Sequence, residues 1–389
     1  MNNKKQILYM LAFFCIGVGL WENFRQLWLQ SNNFNVSQIS TTLSIASLVS
    51  AICIFISSTK IQLSKINEFI SITLLLKIFV MFLLFLNSNG NMQIIRLLII
   101  LDIVLEKFVI LSIYPLMICV EKSDTLYSKR KLIEYLCRDI GMFVGGITVG
   151  KTISNLIINY NILLFLSLIF TIISALILIN INVKNENKKT NVSFKYIIKD
   201  KITIIYLLYY FIASIAMSVG LGLKMLMLTT KLGFSDVSAT NYLLIIGLIA
   251  DIIGIIALKF LTFKNDYLTI TIKFGIRLLI YLLAFFTNKY IIIIISITWS
   301  ILISTAYENK TDAPYINRIK NEYHIFFSNI RYMIWMTGNS IGLYFAGIMY
   351  QYGINYMFGL SSIFMLFQLG LAYYLISLRN KEEILKWMK

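Results

Sequence analysis

The chain has 389 residues, of which 58% are hydrophobic and only 14% are charged, and its formal net charge at pH 7 is +17. A soluble domain of this length needs more polar material than this to cover its exterior. The composition therefore excludes a soluble globular protein and indicates one embedded in a bilayer.

Apolar runs long enough to cross a hydrocarbon core of roughly 30 Å recur along the chain. They predict twelve helices, over residues 7–29, 37–59, 66–86, 92–119, 131–154, 161–181, 202–229, 237–260, 267–286, 290–316, 324–349 and 355–378. The polar segment 182–201 separates six predicted spans from six. We therefore expect an all-α membrane protein with an N-terminal six-helix bundle (1–181), a cytoplasmic linker (182–201) and a C-terminal six-helix bundle (202–389).

The distribution of lysine and arginine between the predicted spans indicates the topology. One side of the membrane receives 22 of these residues, whereas the other receives three, namely Lys151, Lys231 and Lys289. Cytoplasmic loops carry such an excess of positive charge, so both termini are expected in the cytoplasm and the protein in the cytoplasmic membrane. The basic composition is thus explained by topology, and no nucleic-acid partner is expected.

The two halves of the sequence resemble each other. Residues 32–52 parallel 232–253, with Phe34 against Phe234, and residues 138–146 parallel 331–339, with Arg138 against Arg331. The only two prolines, Pro115 and Pro314, each lie near the end of the fourth span of a half. Landmarks that recur in order at offsets near 200 predict two parallel six-helix repeats.

On these features the chain resembles the major facilitator superfamily. The resemblance implies a twelve-helix carrier that works by alternating access, with spans one, four, seven and ten of the chain lining a central cavity. The loop between spans two and three, "SSTKIQLSKINEF" (57–69), lacks the Gly, Asp and Arg residues of the family signature. The fifth span lacks the proline of the antiporter motif, so the resemblance indicates no subfamily.

The segment "GGITVGKT", residues 145–152, matches the phosphate-binding pattern G-x-x-x-x-G-K-[ST]. That pattern functions between a strand and a helix, with water around the phosphates, whereas here it lies in a predicted membrane span. Glycines spaced four apart, such as Gly141 and Gly145, allow close helix contacts in membranes. We therefore interpret these glycines as packing residues and expect no ATP binding.

Charged side chains inside the predicted spans are the candidate functional residues, because each costs roughly 2.5–3.5 kcal/mol at the middle of a span. Asp102 and Glu106 lie near the middle of span four, four residues apart and so on one face. Two carboxylates in a low-dielectric setting resist ionising together, which suits groups that load and release protons. The alternative is a buried ion pair with Lys107 or Arg138.

Other charges in the spans have less decisive positions. Lys77, Arg96, Lys273 and Lys310 are placed where a long side chain reaches an interface, which favours a structural role. Arg138 and Arg331, at equivalent positions of the repeat, either hold an anionic substrate or fasten each half to nearby carboxylates. In the resembled family's cavity-lining spans, the remaining candidates for substrate binding are Glu22, Arg25, Lys224 and Glu308.

Glu22 and Arg25 in "GLWENFRQLWL" (19–29) share a helical face. Two interpretations remain open. Either they form part of the binding site, with Arg25 attracting an anionic group and Glu22 holding Arg25 or engaging an ammonium, or they form an ion pair that fastens helix one to its neighbours.

These observations predict a secondary active transporter, not an enzyme, that moves a small charged or zwitterionic polar solute and is coupled to protons or another ion. Efflux of amphipathic or cationic drugs is the alternative within transport, and a membrane-embedded enzyme or sensor is the alternative of another class. The four cysteines lie in or at the ends of apolar runs and His324 is the only histidine, so we expect no catalytic residue, no metal and no cofactor.

Overall fold

The computed structural model describes residues 3–60, 65–88, 90–120, 124–151, 156–181, 200–260, 266–287, 289–316, 318–319 and 324–387. Side chains are described for most of these residues but not for several stretches, among them 124–132, 253–260 and 303–314.

Helices occupy the positions of the predicted spans. The first six correspond to α1 (Asn3–Glu22) with α2 (Arg25–Ser31), α3 (Val36–Lys60), α4 (Ile66–Leu86), α5 (Met92–Val120), α6 (Asp124–Lys151) and α7 (Leu156–Ile179). The last six correspond to α8 (Lys201–Leu221) with α9 (Lys224–Leu226) and a π-helical turn (Met227–Lys231), α10 (Asp236–Phe260), α11 (Asp266–Ile270) with a π-helical turn (Thr271–Gly275) and α12 (Ile276–Thr287), α13 (Tyr290–Ile316), α14 (His324–Tyr352) and α15 (Ile354–Trp387). No strand occurs among the described residues.

Seven helical segments of the described chain are long and apolar enough to cross a membrane. They are Lys5–Ser31, Val36–Ser57, Ile66–Leu86, Tyr160–Ile179, Lys201–Lys231, Asp266–Thr287 and Ile354–Lys381. In lipid a backbone must satisfy its own hydrogen bonds, which a helix does within one segment. The protein is therefore an all-helical integral membrane protein, and a full set of twelve crossings stays a prediction.

Helix α4 shows how these helices divide lipid from interior. Leu75 and Phe79 are 62% and 58% exposed, whereas Leu74, Lys77 and Met81 are at most 2% exposed. The exposed apolar face suits contact with lipid tails. The buried face carries the one charged side chain in the middle of the helix, so the sequence places a cation inside the helix bundle.

The chain divides into two compact units. The first comprises Met1–Thr190 together with Met225–Ile245, and the second comprises Asn191–Lys224 together with Ile246–Lys389. The linker predicted at 182–201 lies mostly outside the described residues, and the predicted division into 1–181 and 202–389 stays a prediction.

In the first unit α1 packs against α6 and α7, and α5 packs against α3 and α4. The contact of α1 with α6 requires glycine on both helices. A Cβ atom added to Gly141 would lie 2.2 Å from the carbonyl oxygen of Ile16, and one added to Gly19 would lie 2.1 Å from that of Arg138. The glycine spacing of span five therefore serves helix packing, as the sequence predicts.

In the second unit α8 packs against α14 and α15, and α12 packs against α13 and α15. A Cβ atom added to Gly338 of α14 would lie 2.7 Å from the carbonyl oxygen of Phe211, and one added to Gly342 would lie 2.8 Å from that of Ile215. Glycines thus bring α14 close to α8 in the way that they bring α6 close to α1.

The first predicted span of each half is interrupted at a similar point. Helix α1 ends at Glu22 and α2 begins at Arg25, while α8 ends at Leu221 and α9 begins at Lys224. The residues in each gap form a turn. Each interruption is therefore followed at once by a cation.

Candidate functional site

Two carboxylates on α5 form the centre of a buried cluster of charged side chains. Asp102 and Glu106 are both 0% exposed, and their spacing puts them on one helical face, as the sequence predicts. An ion in a low-dielectric interior is strongly disfavoured unless it is paired. The cationic partners of these two carboxylates come from α2, from α4 and from α5 itself.

Arg25, the first residue of α2, bridges the two carboxylates. Its Nη2 lies 2.9 Å from Asp102 Oδ2 and 2.9 Å from Glu106 Oε2, and the residue is 4% exposed. The indole Nε1 of Trp21 donates to the same Asp102 Oδ2 at 3.1 Å. The guanidinium also lies 5.9 Å from the centroid of the Trp21 ring. The interruption between α1 and α2 thus directs an indole and a guanidinium at one carboxylate.

Lys77 of α4 supplies the second cation for Asp102. Its ammonium contacts Oδ1 of that carboxylate and lies 3.4 Å from the backbone carbonyl oxygen of the same residue. Lys77 is 2% exposed, so the prediction that it reaches an interface is wrong. The reason is its position on the buried face of α4, where an ion pair inside the bundle replaces hydration.

Glu106 connects to a more exposed set of charges. Lys107 Nζ lies 2.8 Å from Glu106 Oε1 and 3.6 Å from Glu22 Oε1. Arg138 of α6 then places Nη1 3.4 Å from Glu22 Oε2 and Nη2 3.5 Å from Glu134 Oε1. The pairing of Glu106 with Lys107 was one of the alternatives predicted from sequence, whereas Asp102 pairs with neither of its two predicted partners.

These contacts join eight side chains of alternating sign, which we call the charge ladder. Four cations alternate with four carboxylates, so the charge ladder as a whole is neutral. Its members in order are Lys77, Asp102, Arg25, Glu106, Lys107, Glu22, Arg138 and Glu134.

The two ends of the charge ladder differ in tightness and in exposure. From Lys77 to Glu106 the ionic separations are at most 2.9 Å and the side chains are at most 5% exposed. From Lys107 to Glu134 the separations between neighbours are 3.4 to 3.6 Å and the side chains are 14 to 36% exposed. We call these parts the buried end and the exposed end.

Glu22 and Arg25 do not pair with each other, although the sequence places them on one face. They lie on opposite sides of the helix interruption and contact different partners, Glu22 with Lys107 and Arg138, and Arg25 with the carboxylates of α5. Glu22 and Arg25 thus form no direct ion pair, and the substrate-binding roles predicted for them stay predictions. The structure nevertheless brings both residues into one network with Arg138.

The second unit holds the other predicted site residues. Arg331 Nη1 donates to the hydroxyl of Tyr206 at 3.1 Å, and its guanidinium lies 5.1 Å from the centroid of the Tyr210 ring. Lys224 is the first residue of α9 and is partly buried. Glu308 lies in α13, and its side chain is outside the described part of the chain.

A buried cation of the second unit was missed by the sequence analysis. Arg277 of α12 is 2% exposed, and its Nη2 donates to the carbonyl oxygen of Ser300 at 2.7 Å. The hydroxyl of Ser300 in turn donates to that of Tyr281 at 2.7 Å. Arg277 lies 200 residues after Lys77, so the repeat offset would have singled it out.

The segment 145–152 is helical through Lys151, the last residue of α6, and Thr152 lies outside the described residues. A Cβ atom added to Gly145 would lie 2.6 Å from the ring of Phe24, and one added to Gly146 would lie 3.2 Å from the methyl group of Thr240. These two glycines are packing residues, as predicted.

Comparison with known proteins gives matches in structure but not in sequence. No protein-family profile and no curated protein sequence matches the chain. The structure of a bacterial homologue of the iron transporter ferroportin, in an inward-facing state, matches with a TM-score of 0.72, 10% identity and coverage of 96% of this chain and 98% of that one. That of the human organic anion transporter MFSD10 matches with a TM-score of 0.68, 9% identity and coverage of 95% and 99%. That of a D-xylose–proton symporter matches with a TM-score of 0.67, 11% identity and coverage of 93% and 96%. The chain has the major facilitator superfamily fold.

This fold agrees with the resemblance drawn from the sequence. The three matched proteins are transporters, and each match covers nearly the whole of both chains. Identities near 10% relate the backbone only. The function of this chain must therefore be argued from its own side chains.

Proposed function

We propose that this protein is a secondary active transporter that moves a small charged or zwitterionic polar solute across the cytoplasmic membrane by alternating access, driven by protons. The observation that carries the proposal is the charge ladder. Eight ionisable side chains in one network within a membrane bundle are costly to maintain. Apolar residues would provide helix packing at a lower cost in free energy, so the presence of this network indicates a function that uses charge.

The architecture we propose is twelve transmembrane helices in two parallel six-helix repeats around a central cavity, with both termini in the cytoplasm. Equivalent contacts in the two units support the repeat. Ser167 Oγ of α7 donates to the carbonyl oxygen of Gly17 in α1 at 2.6 Å. Ser361 Oγ of α15 donates to that of Ala216 in α8, also at 2.6 Å. The sixth helix of each half is thus fastened to the first in the same way.

Proton coupling is assigned to Asp102 and Glu106. A proton on either carboxylate removes a negative charge next to Arg25 and weakens the bridge that holds this guanidinium. Arg25 then becomes available to a solute. The buried end of the charge ladder supports this assignment because its separations are short, so a change of one charge acts strongly on its neighbours. The D-xylose–proton symporter is a proton-coupled transporter with the same fold.

Solute binding is assigned to the charged residues around these carboxylates and to their counterparts in the second unit. Both signs of charge are present, which suits a charged or zwitterionic solute better than a neutral one. The proposed residues are Glu22, Arg25, Arg138, Lys224, Glu308 and Arg331.

Efflux of amphipathic or cationic drugs is less well supported. Such a carrier needs a carboxylate that is available to a cation, whereas each carboxylate of the charge ladder already faces at least one basic side chain. A membrane-embedded enzyme or sensor is disfavoured by the matched structures, which are transporters.

Purified protein in proteoliposomes tests the proposal. Solutes that raise the melting temperature of the detergent-solubilised protein are first selected, and their accumulation is then measured with and without an imposed pH gradient. We expect at least one selected solute to accumulate only with the gradient, and a protonophore to abolish the accumulation. If every selected solute is excluded under gradients of both directions, the transport proposal fails.

A further inference from the structure

Glu22 is the most accessible carboxylate of the charge ladder. Its side chain is 36% exposed, compared with 0% for Asp102 and 1% for Glu106. It is also loosely held, because Lys107 Nζ and Arg138 Nη1 lie 3.6 Å and 3.4 Å from its two oxygens. These distances exceed those of charge-assisted hydrogen bonds, which are about 2.7–2.9 Å.

The two cations around Glu22 form a cradle contributed by different helices, with Lys107 on α5 and Arg138 on α6. Arg138 divides its guanidinium between two carboxylates, with Nη1 3.4 Å from Glu22 and Nη2 3.5 Å from Glu134. Arginine binds carboxylate and phosphate groups best through two donors at once. Arg138 holds Glu22 by one long contact only, so an anion that takes up both Nη1 and Nη2 would bind this guanidinium more strongly.

Replacement of the Glu22 carboxylate by a solute anion costs little free energy at this position. If a solute anion enters as Glu22 leaves, the two cations keep a counter-ion and the number of buried charges does not change. Displacing Asp102 or Glu106 instead would break contacts of 2.9 Å or less, made by carboxylates that are at most 1% exposed. An incoming cation is also disfavoured, because it would have to approach a carboxylate that already faces two cations.

We propose that the transported solute carries a carboxylate or phosphate group, and that this group binds Lys107 and Arg138 by displacing the carboxylate of Glu22. The proposal rests on the transport function proposed above and specifies the class of its solute. Glu22 then acts as a tethered competitor that occupies the cradle when the solute is absent. Lys107, which the sequence analysis gave only as a structural partner, becomes a binding residue.

Glu22→Gln tests the proposal because two possible roles of Glu22 predict opposite results. If Glu22 competes with the solute anion, the amide variant binds anions more tightly; if Glu22 binds an ammonium group of the solute, the amide variant binds cations less tightly. Acetate and inorganic phosphate serve as anionic probes and methylammonium as a cationic probe, all at constant ionic strength. The measurement is the probe concentration that gives half of the maximal rise in melting temperature. Without its competitor the cradle should bind an anionic probe at least about tenfold more tightly, which corresponds to about 1.4 kcal/mol.

Three further variants make the result specific. Glu68→Gln, at an exposed residue of α4 outside the charge ladder, changes the net charge equally and should leave the half-maximal concentration within about twofold of wild type. Adding Lys107→Gln to Glu22→Gln should abolish the gain in anion binding. Glu22→Asp, which retains the competing carboxylate, should bind the anionic probes less tightly than Glu22→Gln. It is the control for a change at this position that is unrelated to charge.

The outcomes separate this proposal from the transport proposal. If Glu22→Gln binds acetate and phosphate no more tightly than wild type, or if it loses binding of methylammonium instead, the anion proposal is overturned. Gradient-driven accumulation of a cationic solute would then still support transport. Absence of accumulation for all solutes would contradict the transport proposal, whatever the probes show.

Discussion

Asp102 has a cation on each side, Lys77 and Arg25, and this arrangement makes its charge and theirs interdependent. Removing one partner of a buried ion pair typically costs about 3–5 kcal/mol, because the remaining charge is left without compensation. Removing both partners costs less than the sum, because no unpaired charge remains. The pair of Lys77 and Asp102 can therefore be tested by a double-mutant cycle.

We expect Lys77→Met and Asp102→Asn each to lower the melting temperature of the purified protein, and the double variant to lower it by less than the sum of the two. Scanning fluorimetry in detergent measures all three. The control is Lys65→Met, at an exposed lysine next to the start of α4, which should leave the melting temperature unchanged. If the effects of the two substitutions were additive, the interaction between Lys77 and Asp102 would contribute nothing to stability.

For individual charged side chains, the sequence predicted the position on a helix but not the interaction partner. The spacing of Asp102 and Glu106 was sufficient to put both on one face of a buried helix. Their bridge to Arg25 could not be predicted, because it joins residues 77 and 81 positions apart in the chain and depends on the interruption after Glu22. The sequence also did not predict which way the Lys77 side chain extends. A mid-span lysine that reaches an interface and one that forms an ion pair have the same sequence pattern.

Helix contacts depend on glycine at a few positions only. Gly141 faces the backbone of α1, where a methyl group would lie 2.2 Å from the carbonyl oxygen of Ile16. Gly370 of α15, in contrast, has nothing within 4 Å of the position of an added Cβ atom. Backbone atoms cannot move aside as a side chain can, so the same substitution should have different consequences at the two sites.

Gly141→Ala is therefore expected to lower the melting temperature and the yield of monodisperse protein, because α6 must move away from α1 and the contact of Arg138 with Glu22 is weakened. Gly370→Ala is the matched control and should be neutral or slightly stabilising, since alanine has the higher helix propensity. If both variants melted at the wild-type temperature, the α1–α6 contact would not require glycine at position 141.

The segment 145–152 gives a second prediction about an element. Its glycines pack in the helix α6, so its match to the phosphate-binding pattern is expected to carry no function. Lys151→Ala should leave gradient-driven accumulation within about twofold of wild type. Loss of accumulation together with loss of a measurable ATP affinity present in the wild type would show that the pattern is functional.

The helices themselves could be predicted closely because a bilayer sets a minimum length for each apolar run. The predicted span 66–86 coincides with α4 (Ile66–Leu86). The interruption after Glu22 was not predicted, since "WENFRQ" contains neither proline nor glycine. Its counterpart after Leu221 begins at Gly222, which would have been a usable signal.

The orientation of the whole molecule rests on the asymmetry of its loops. With 22 basic residues between the predicted spans on one side and three on the other, we predict insertion with both termini in the cytoplasm. A fluorescent protein that matures only in the cytoplasm should be active when fused after Lys389 or inserted within 184–199. An alkaline phosphatase at the same sites should be inactive. Phosphatase activity at either site would overturn the orientation.

We propose above that solute movement and proton movement are linked through the carboxylates of α5. Proteoliposomes containing a trapped pH-sensitive dye test this directly, because addition of a transported solute without any imposed gradient should by itself change the internal pH. We predict such a change for the wild type and none for Glu106→Gln, which should still exchange labelled for unlabelled solute across the membrane. Accumulation of solute by the wild type with no proton movement, or an unchanged pH response in Glu106→Gln, would contradict this linkage.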